Sequence, residues 1–173
     1  AISPGELVLT CYAPCTDITR TLTPDLKRGG GSVLVHVDLA QGFRRLGGSA
    51  LSRVYGQLGG TVGSDVPDFT DFALFTRAWE SLQRCIAEGL LESAHDISDG
   101  GLLACVCEMA FAGVQIGVSL TLPPVQTDIT IFQALFAEEG GWVFEVGIIV
   151  ACTLLFVARV VSILAFYDGP FYD

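Results

Sequence analysis

The run at 102–111 (LLACVCEMAF) follows directly on a glycine pair, Gly100-Gly101, and carries a single charge, Glu108. A helix that is apolar nearly all round has no face to give to water, so other elements must cover it on several sides. Just upstream, 90–97 reads as a short strand and Ser98-Asp99-Gly100-Gly101 as a tight turn. Strand, sharp turn and buried helix in that order require a layered domain.

The rest of the chain supplies the other layers. Residues 7–13 (LVLTCYA) are rich in strand formers behind Pro4-Gly5, and 16–27 is a polar, linker-like stretch containing Pro24. After Gly29-Gly30-Gly31, residues 32–39 (SVLVHVDL) alternate as a strand with one buried face. Ser49 is placed to cap a helix carrying Leu51, Val54, Tyr55 and Leu58, and 59–68 is a Gly/Asp/Pro loop. Residues 71–88 form an amphipathic helix, apolar at 72, 75, 79, 82 and 86, which Gly89 stops. A strand at 114–122, a helix at 129–139 and a strand at 142–146 complete the series. The fold class is α/β, or α+β in layers.

The segment 147–166 (GIIVACTLLFVARVVSILAF) breaks this texture with one charge, Arg159, in twenty residues. That length spans a bilayer. No basic flank sets an orientation, and Arg159 near mid-depth costs about 2.5–3.5 kcal/mol on insertion scales. A buried strand–helix pair is the other reading, and the stronger one. With a net charge of −10 and Lys27 as the only lysine, a basic face for nucleic acid is not expected. Phosphates held through Mg²⁺ and helix amides remain compatible with that charge.

Six cysteines fall in no disulfide rhythm, and Cys105 and Cys107 read as small buried hydrophobes. The Cys11-x₃-Cys15 pair lacks the second ligand pair of a structural zinc site. Residues 1–5 (AISPG) do not form a signal peptide, and the only methionine is Met109. The chain is thus expected to be part of something longer, in the reducing cytoplasm.

Chemistry concentrates at His95-Asp96-Ile97-Ser98-Asp99-Gly100-Gly101. A strand there delivers carboxylates and a hydroxyl to its C-terminal edge, and the glycines let the backbone turn into a helix with free N–H groups. Asp96 suits Mg²⁺, while Ser98 and the amides suit phosphate oxygens. Simple capping by Ser98 or Asp99, with Asp96 solvated and His95 a satisfied strand-end residue, is the competing reading. Leu46-Gly47-Gly48-Ser49, preceded by Arg44 and Arg45, is a second glycine-pair helix start. The two starts form either two walls of one anion site or two ordinary caps; neither is a Walker A or GxGxxG loop. Glu138-Glu139 ends the 129–139 helix with the unfavourable sign for the dipole, by a few tenths to about 1 kcal/mol. It marks either a partner or a solvated acidic end.

Six blocks then occur in register: 23–27 (TPDLK), 45–51 (RLGGSAL), 54–59 (VYGQLG), 95–102 (HDISDGGL), 108–113 (EMAFAG) and 135–139 (LFAEE). Over about residues 1–146 the chain closely resembles the second synthetase half of the large, single-chain phosphoribosylformylglycinamidine synthases. The resemblance implies an aminoimidazole ribonucleotide synthetase-like fold. Residues 1–28 would end an N-terminal synthetase-type domain and its linker, 29–146 would be the C-terminal-type domain, and 147–173 a divergent apolar tail. It also implies an ATP- and glutamine-dependent ligase of purine biosynthesis, in which ATP activates an amide oxygen as an iminophosphate that ammonia displaces. By the same likeness Asp96 is a magnesium ligand of a bound ATP or ADP and Ser98 a nucleotide contact, with Asp99, Gly100 and Gly101 in the same turn. The remaining magnesium ligands would lie upstream of Ala1, and no catalytic residue falls in this segment. The partners implied are the other synthetase half and a glutaminase domain, of which this chain carries nothing. The tail from 147 does not align with the family. A non-catalytic interaction module and a protein tethered through 147–166 are the alternatives.

Overall fold

Alternation in two seven-residue strands decides the architecture. The structure, a computed structural model, describes residues 8–28, 30–56, 65–114, 116–122, 130–148 and 161–166. Its strands are β1 (Ser32–Asp38), β2 (Ser93–Asp96), β3 (Ser119–Leu120), β4 (Gly141–Gly147) and β5 (Val161–Phe166). They form one sheet in the order β2-β4-β1-β5-β3, with every pairing antiparallel. The helices are α1 (Ala50–Val54), α2 (Phe72–Ala87), α3 (Gly101–Ala112) and α4 (Ile131–Phe136).

The β1–β4 register sorts the side chains by face. Val33 pairs Val146, Val35 pairs Phe144 and Val37 pairs Trp142 on one side, while Leu34–Glu145 and His36–Val143 occupy the other. The first side packs on Leu82, Cys85 and Ile86 of α2, together with Leu22 and Leu91. The second packs on Leu102, Cys105, Val106 and Met109 of α3, together with Leu26. The face of the apolar helix carrying Leu102, Cys105, Val106 and Met109 is therefore buried, while Phe111 on its last turn stays exposed, so the helix is covered on fewer sides than its composition suggests. Each fully buried Val or Met contributes roughly 1.5–3 kcal/mol. In α2 the Asp71 carboxylate accepts the Leu74 N–H at 2.8 Å, and Gly89 (φ +67°) ends it in the left-handed region. Phe75 and Trp79 reach Trp142 on the sheet, with ring centroids 6.0 and 6.1 Å away.

Several expectations need correction. Val8, Leu9 and Tyr12 lie exposed in irregular chain, because strand propensity without a sheet partner forms no ladder. Among the described residues of 114–122 only Ser119–Leu120 is a strand, since only these meet β5 at the sheet edge. α1 ends at Val54, with Val54 and Tyr55 exposed; Leu58 lies outside the described residues. α4 stops at Phe136, and Ala137 turns extended (φ −68°, ψ 128°), so Glu138 and Glu139 are not helical. Residues 147–166 are not one membrane span: Gly147 closes β4, and Val161–Phe166 pairs between β1 and β3. Among the described residues no helix is long and apolar enough to cross a membrane. The helical half of the strand–helix reading falls in 149–160, outside the described residues.

The polar stretch at 22–28 is a strap, not a loose connection. The Ala94 N–H donates to the Thr23 carbonyl at 3.2 Å, along the outer edge of β2. Covering an edge strand in this way removes a site for unwanted pairing. Further on, Glu145, only 1% exposed, accepts the N–H groups of Lys27 (2.7 Å) and Arg28 (2.9 Å) and the hydroxyls of Ser32 (2.8 Å) and Ser93 (3.2 Å).

Glu145→Leu should leave two part-buried backbone donors and the buried Ser32 and Ser93 hydroxyls without their acceptor, at up to roughly 1–3 kcal/mol each. Urea unfolding should show a loss of about 3 kcal/mol or more, and an unchanged midpoint would mean that the carboxylate does not hold the strap. His36 supplies a pH test. Burial pushes its imidazole down to about 4; the Asp38 carboxylate opposes this and the Arg44 charge adds to it. Between about pH 6.5 and 4 the unfolded chain binds a proton that the folded one refuses, so stability falls as pH drops through that window. From pH 7 to 5 the fall should be about 2 kcal/mol, and His36→Gln should flatten that part of a stability–pH curve.

Candidate functional site

β2 ends at Asp96 and hands the chain to the turn that starts α3. Both glycines of the turn are left-handed, Gly100 at φ +85° and Gly101 at φ +71°, and the Gly101 N–H donates to the Ser98 carbonyl at 3.0 Å. A Cβ on Gly101 would lie 2.8 Å from the Leu135 carbonyl oxygen, and one on Gly100 2.7 Å from the Ala104 Cβ. Only glycine meets both the conformation and the clearance.

The capping reading of this turn does not hold. Gly100 is the N-cap, no side chain caps α3, and Ser98 and Asp99 are exposed. Instead, the Oε1 atom of Glu138 accepts the Gly100 N–H at 2.8 Å and the Ala50 N–H at 2.7 Å. The two glycine-pair helix starts do meet, as two walls of one anion site would, and the anion between them is the protein's own carboxylate. At α1 the expected cap is present as well, with the Ser49 hydroxyl accepting the Ser52 N–H at 3.2 Å.

The acidic pair is thus not a solvated helix end. Buried Glu139 accepts the Arg45 backbone N–H (2.9 Å), its Nε–H (2.7 Å) and an Nη2–H (2.9 Å). Arg44 is engaged too, donating from Nη2 to Asp38 at 2.8 Å. Burial raises the Asp38 carboxyl, but Arg44 outweighs it and holds the group below the ordinary carboxylate range. Both arginines that looked free for a ligand therefore already serve internal carboxylates.

Asp96 differs. Its side chain is 67% exposed, and its pairing with Trp142 places it on the α2 side of the sheet, opposite Ile97, which packs on the α3 core. Two clefts share it. One, of about 700 Å³, lies between the chain before the strap and α2, over Ala94, Trp142 and Phe144. The other, of about 370 Å³, is bounded by Phe69, Phe75, Glu138 and Gly140. His95 is a satisfied strand-end residue: Nδ1 lies 2.7 Å from the Asp96 carbonyl oxygen and Nε2 lies 3.0 Å from Oε2 of Glu108.

Among the described residues no group of three or more His, Cys, Asp or Glu side chains is arranged to hold a metal ion. Cys11 and Cys15 are exposed and free. Cys105 is buried, and that burial, with Asp96 and Glu108 adding to it, pushes its thiol up to about 12, leaving it inert. Asp96 can still serve Mg²⁺, which takes one or two protein carboxylates alongside waters and phosphate oxygens. Sequence reasoning missed the bridging role of Glu138 and the existence of the Glu145 node. A lone carboxylate within the apolar strand WVFEV was the available signal for the second.

Residues 29–151 match the family described as AIR synthase related protein, C-terminal domain. The chain is 49% identical over 146 residues to an Arabidopsis thaliana protein named probable phosphoribosylformylglycinamidine synthase, chloroplastic/mitochondrial, covering 84% of this chain and 10% of that one. It is 44% identical over 145 residues to the Homo sapiens phosphoribosylformylglycinamidine synthase, covering 83% and 10%. The chain thus spans about a tenth of the length of these relatives. Among solved structures, Thermotoga maritima phosphoribosylformylglycinamidine synthase II superposes with a TM-score of 0.65 at 20% identity, covering 86% of this chain and 24% of that one. The Thermotoga maritima PurL complexed with ATP gives 0.61 at 18% identity, covering 88% and 24%. The layered fold is shared with these structures.

Gly101→Ala would force a Cβ against the backbone of Leu135 and Phe136 at a left-handed residue. A loss of about 2 kcal/mol or more is expected, read as a lowered melting temperature, whereas Ser98→Ala at the exposed start of the turn should shift it little.

Proposed function

Given that the chain belongs to the AIR synthase related family through its C-terminal domain, matched over residues 29–151, we propose that it is a segment of a phosphoribosylformylglycinamidine synthase. In this reading the whole protein is an ATP-dependent C–N ligase that takes nitrogen from glutamine and converts formylglycinamide ribonucleotide to formylglycinamidine ribonucleotide in purine biosynthesis. The observation that carries it is the 49% identity over 146 residues, 84% of this chain, to a protein named as such a synthase. Residues 1–28 are then the end of the preceding synthetase-type domain and its linker. The C-terminal-type domain follows from 29, with β5 of the 147–173 tail completing its sheet. Its partners are the other synthetase half and a glutaminase domain of the same protein, and the free thiols fit a reducing cytoplasm.

The site in this segment holds a nucleotide, and no catalytic residue is assigned to it. Structures of Thermotoga maritima PurL complexed with ATP and with ADP support this assignment. Asp96, at the strand edge with its carboxylate in solvent, would ligate the Mg²⁺ of that nucleotide, and Ser98 and Asp99 lie next to it on the turn. The Gly100 and Gly101 amides already serve Glu138 and the Ser98 carbonyl. The two glycines therefore act by clearance, letting phosphate approach the backbone, while the next amides of α3 and the helix dipole face the anion. When bound, the nucleotide and its Mg²⁺ supply an anchored phosphate whose charge this acidic segment cannot neutralise with its own cations.

Isothermal titration of the full-length protein with ADP tests the reading. Binding should need Mg²⁺ and disappear with chelator. Asp96→Asn should weaken it by tenfold or more, about 1.4 kcal/mol, and Ser98→Ala by a few-fold. Parent-like affinity in Asp96→Asn would remove the turn from the nucleotide site.

A further inference from the structure

We propose that Glu138 is a positioning residue for the nucleotide turn, fixing where Asp96 and Ser98 stand without touching the ligand. The inference rests on the nucleotide reading above and deepens it. α3 begins with no side-chain cap of its own. Its first bonded amide, that of Gly100, is held from outside by Oε1 of Glu138 at 2.8 Å. The same oxygen holds the Ala50 amide at 2.7 Å, so one atom joins the 46–50 and 98–101 loops.

The neighbouring geometry closes off other positions for the turn. Gly101 sits against the backbone of Leu135 and Phe136, three and two residues before Glu138, so the same short segment grips the turn at two points. That segment is itself fixed, because Glu139 is clamped by Arg45 and the Gln133 side-chain amide donates to the Arg44 carbonyl at 3.3 Å. Glu138 and Asp96 also line the same cleft of about 370 Å³. A second carboxylate there would repel phosphate if it were free. Bonded to two amides, and at the positive end of a twelve-residue helix, its charge is partly neutralised, and its contribution is the location of the turn.

The test uses the full-length protein, Mg-ADP titration, nucleotide-free melting and hydrogen exchange of the 97–103 peptide. Glu138→Ala should weaken Mg-ADP binding about tenfold and raise exchange in that peptide, with the exchange of β1 and β4 unchanged. Glu138→Gln keeps an oxygen that accepts both N–H groups and should bind within about threefold of the parent. Glu138→Asp, one methylene short, should behave as alanine does. If Glu138→Ala fails to fold, the Asp and Gln variants decide the matter by the same comparison. Parent-like binding in Glu138→Ala or Glu138→Asp, or a loss in Glu138→Gln equal to that in alanine, would overturn the proposal. The Asp96→Asn control separates the two claims. If it too binds normally, the nucleotide reading has failed, and exchange at 97–103 still reports whether Glu138 pins the turn.

Discussion

A single carboxylate with almost no exposure holds this fold in register. Glu145 lies in β4 between Phe144 and Val146, where a charge without partners would cost several kcal/mol. It is tolerated because donors arrive from three separate stretches of chain: the strap at 27–28, the start of β1 at Ser32 and the start of β2 at Ser93. Those stretches must come together for the charge to be satisfied. The requirement fixes how the strap crosses the sheet end and which residues of the three strands stand level. An apolar side chain there would fill the space without specifying the arrangement.

The same device recurs at the other end of β4. Glu138 and Glu139 tie the α1 loop, the α3 turn and the Arg45 side chain into one assembly beside the sheet edge. An acidic chain with few cations thus spends many of its backbone amides and four of its arginines, Arg20, Arg28, Arg44 and Arg45, on its own carboxylates. What remains free is selective. Asp96 projects from the α2 side of the sheet into two clefts, while its neighbour His95 turns the other way and is satisfied by Glu108. One face of β2 contributes to the core, and its last residue is left for solvent or ligand.

Local signals were read well from the sequence where local physics decides. Alternation locates β1, the 3.6-residue apolar pattern and Gly89 locate α2, and the glycine pair locates the start of α3. Long-range pairing was not legible. Nothing near Glu138 in sequence says that its oxygen meets amides 38 and 88 residues away. The dipole mismatch of Glu138-Glu139 is legible in the sequence, but its resolution depends on α4 stopping at Phe136, a tertiary outcome. The apolar stretch after β4 carries two readings for a related reason. Hydropathy reports that a segment is buried, not whether lipid or a sheet buries it, and Val161–Phe166 finds β1. The strand expected at 7–13 failed in the opposite sense, with propensity present and a pairing partner absent among the described residues.

The pairing scheme also sets an order in time. Among the described residues, β1, β2 and β3 make no ladder with one another; each pairs with β4 or β5. On a ribosome, Ser32 emerges long before its partner Gly147. At synthesis rates of about 5–20 residues per second, β1 waits on the order of ten seconds with its valines uncovered. Among the described strands no part of this sheet can form until β4 has been made.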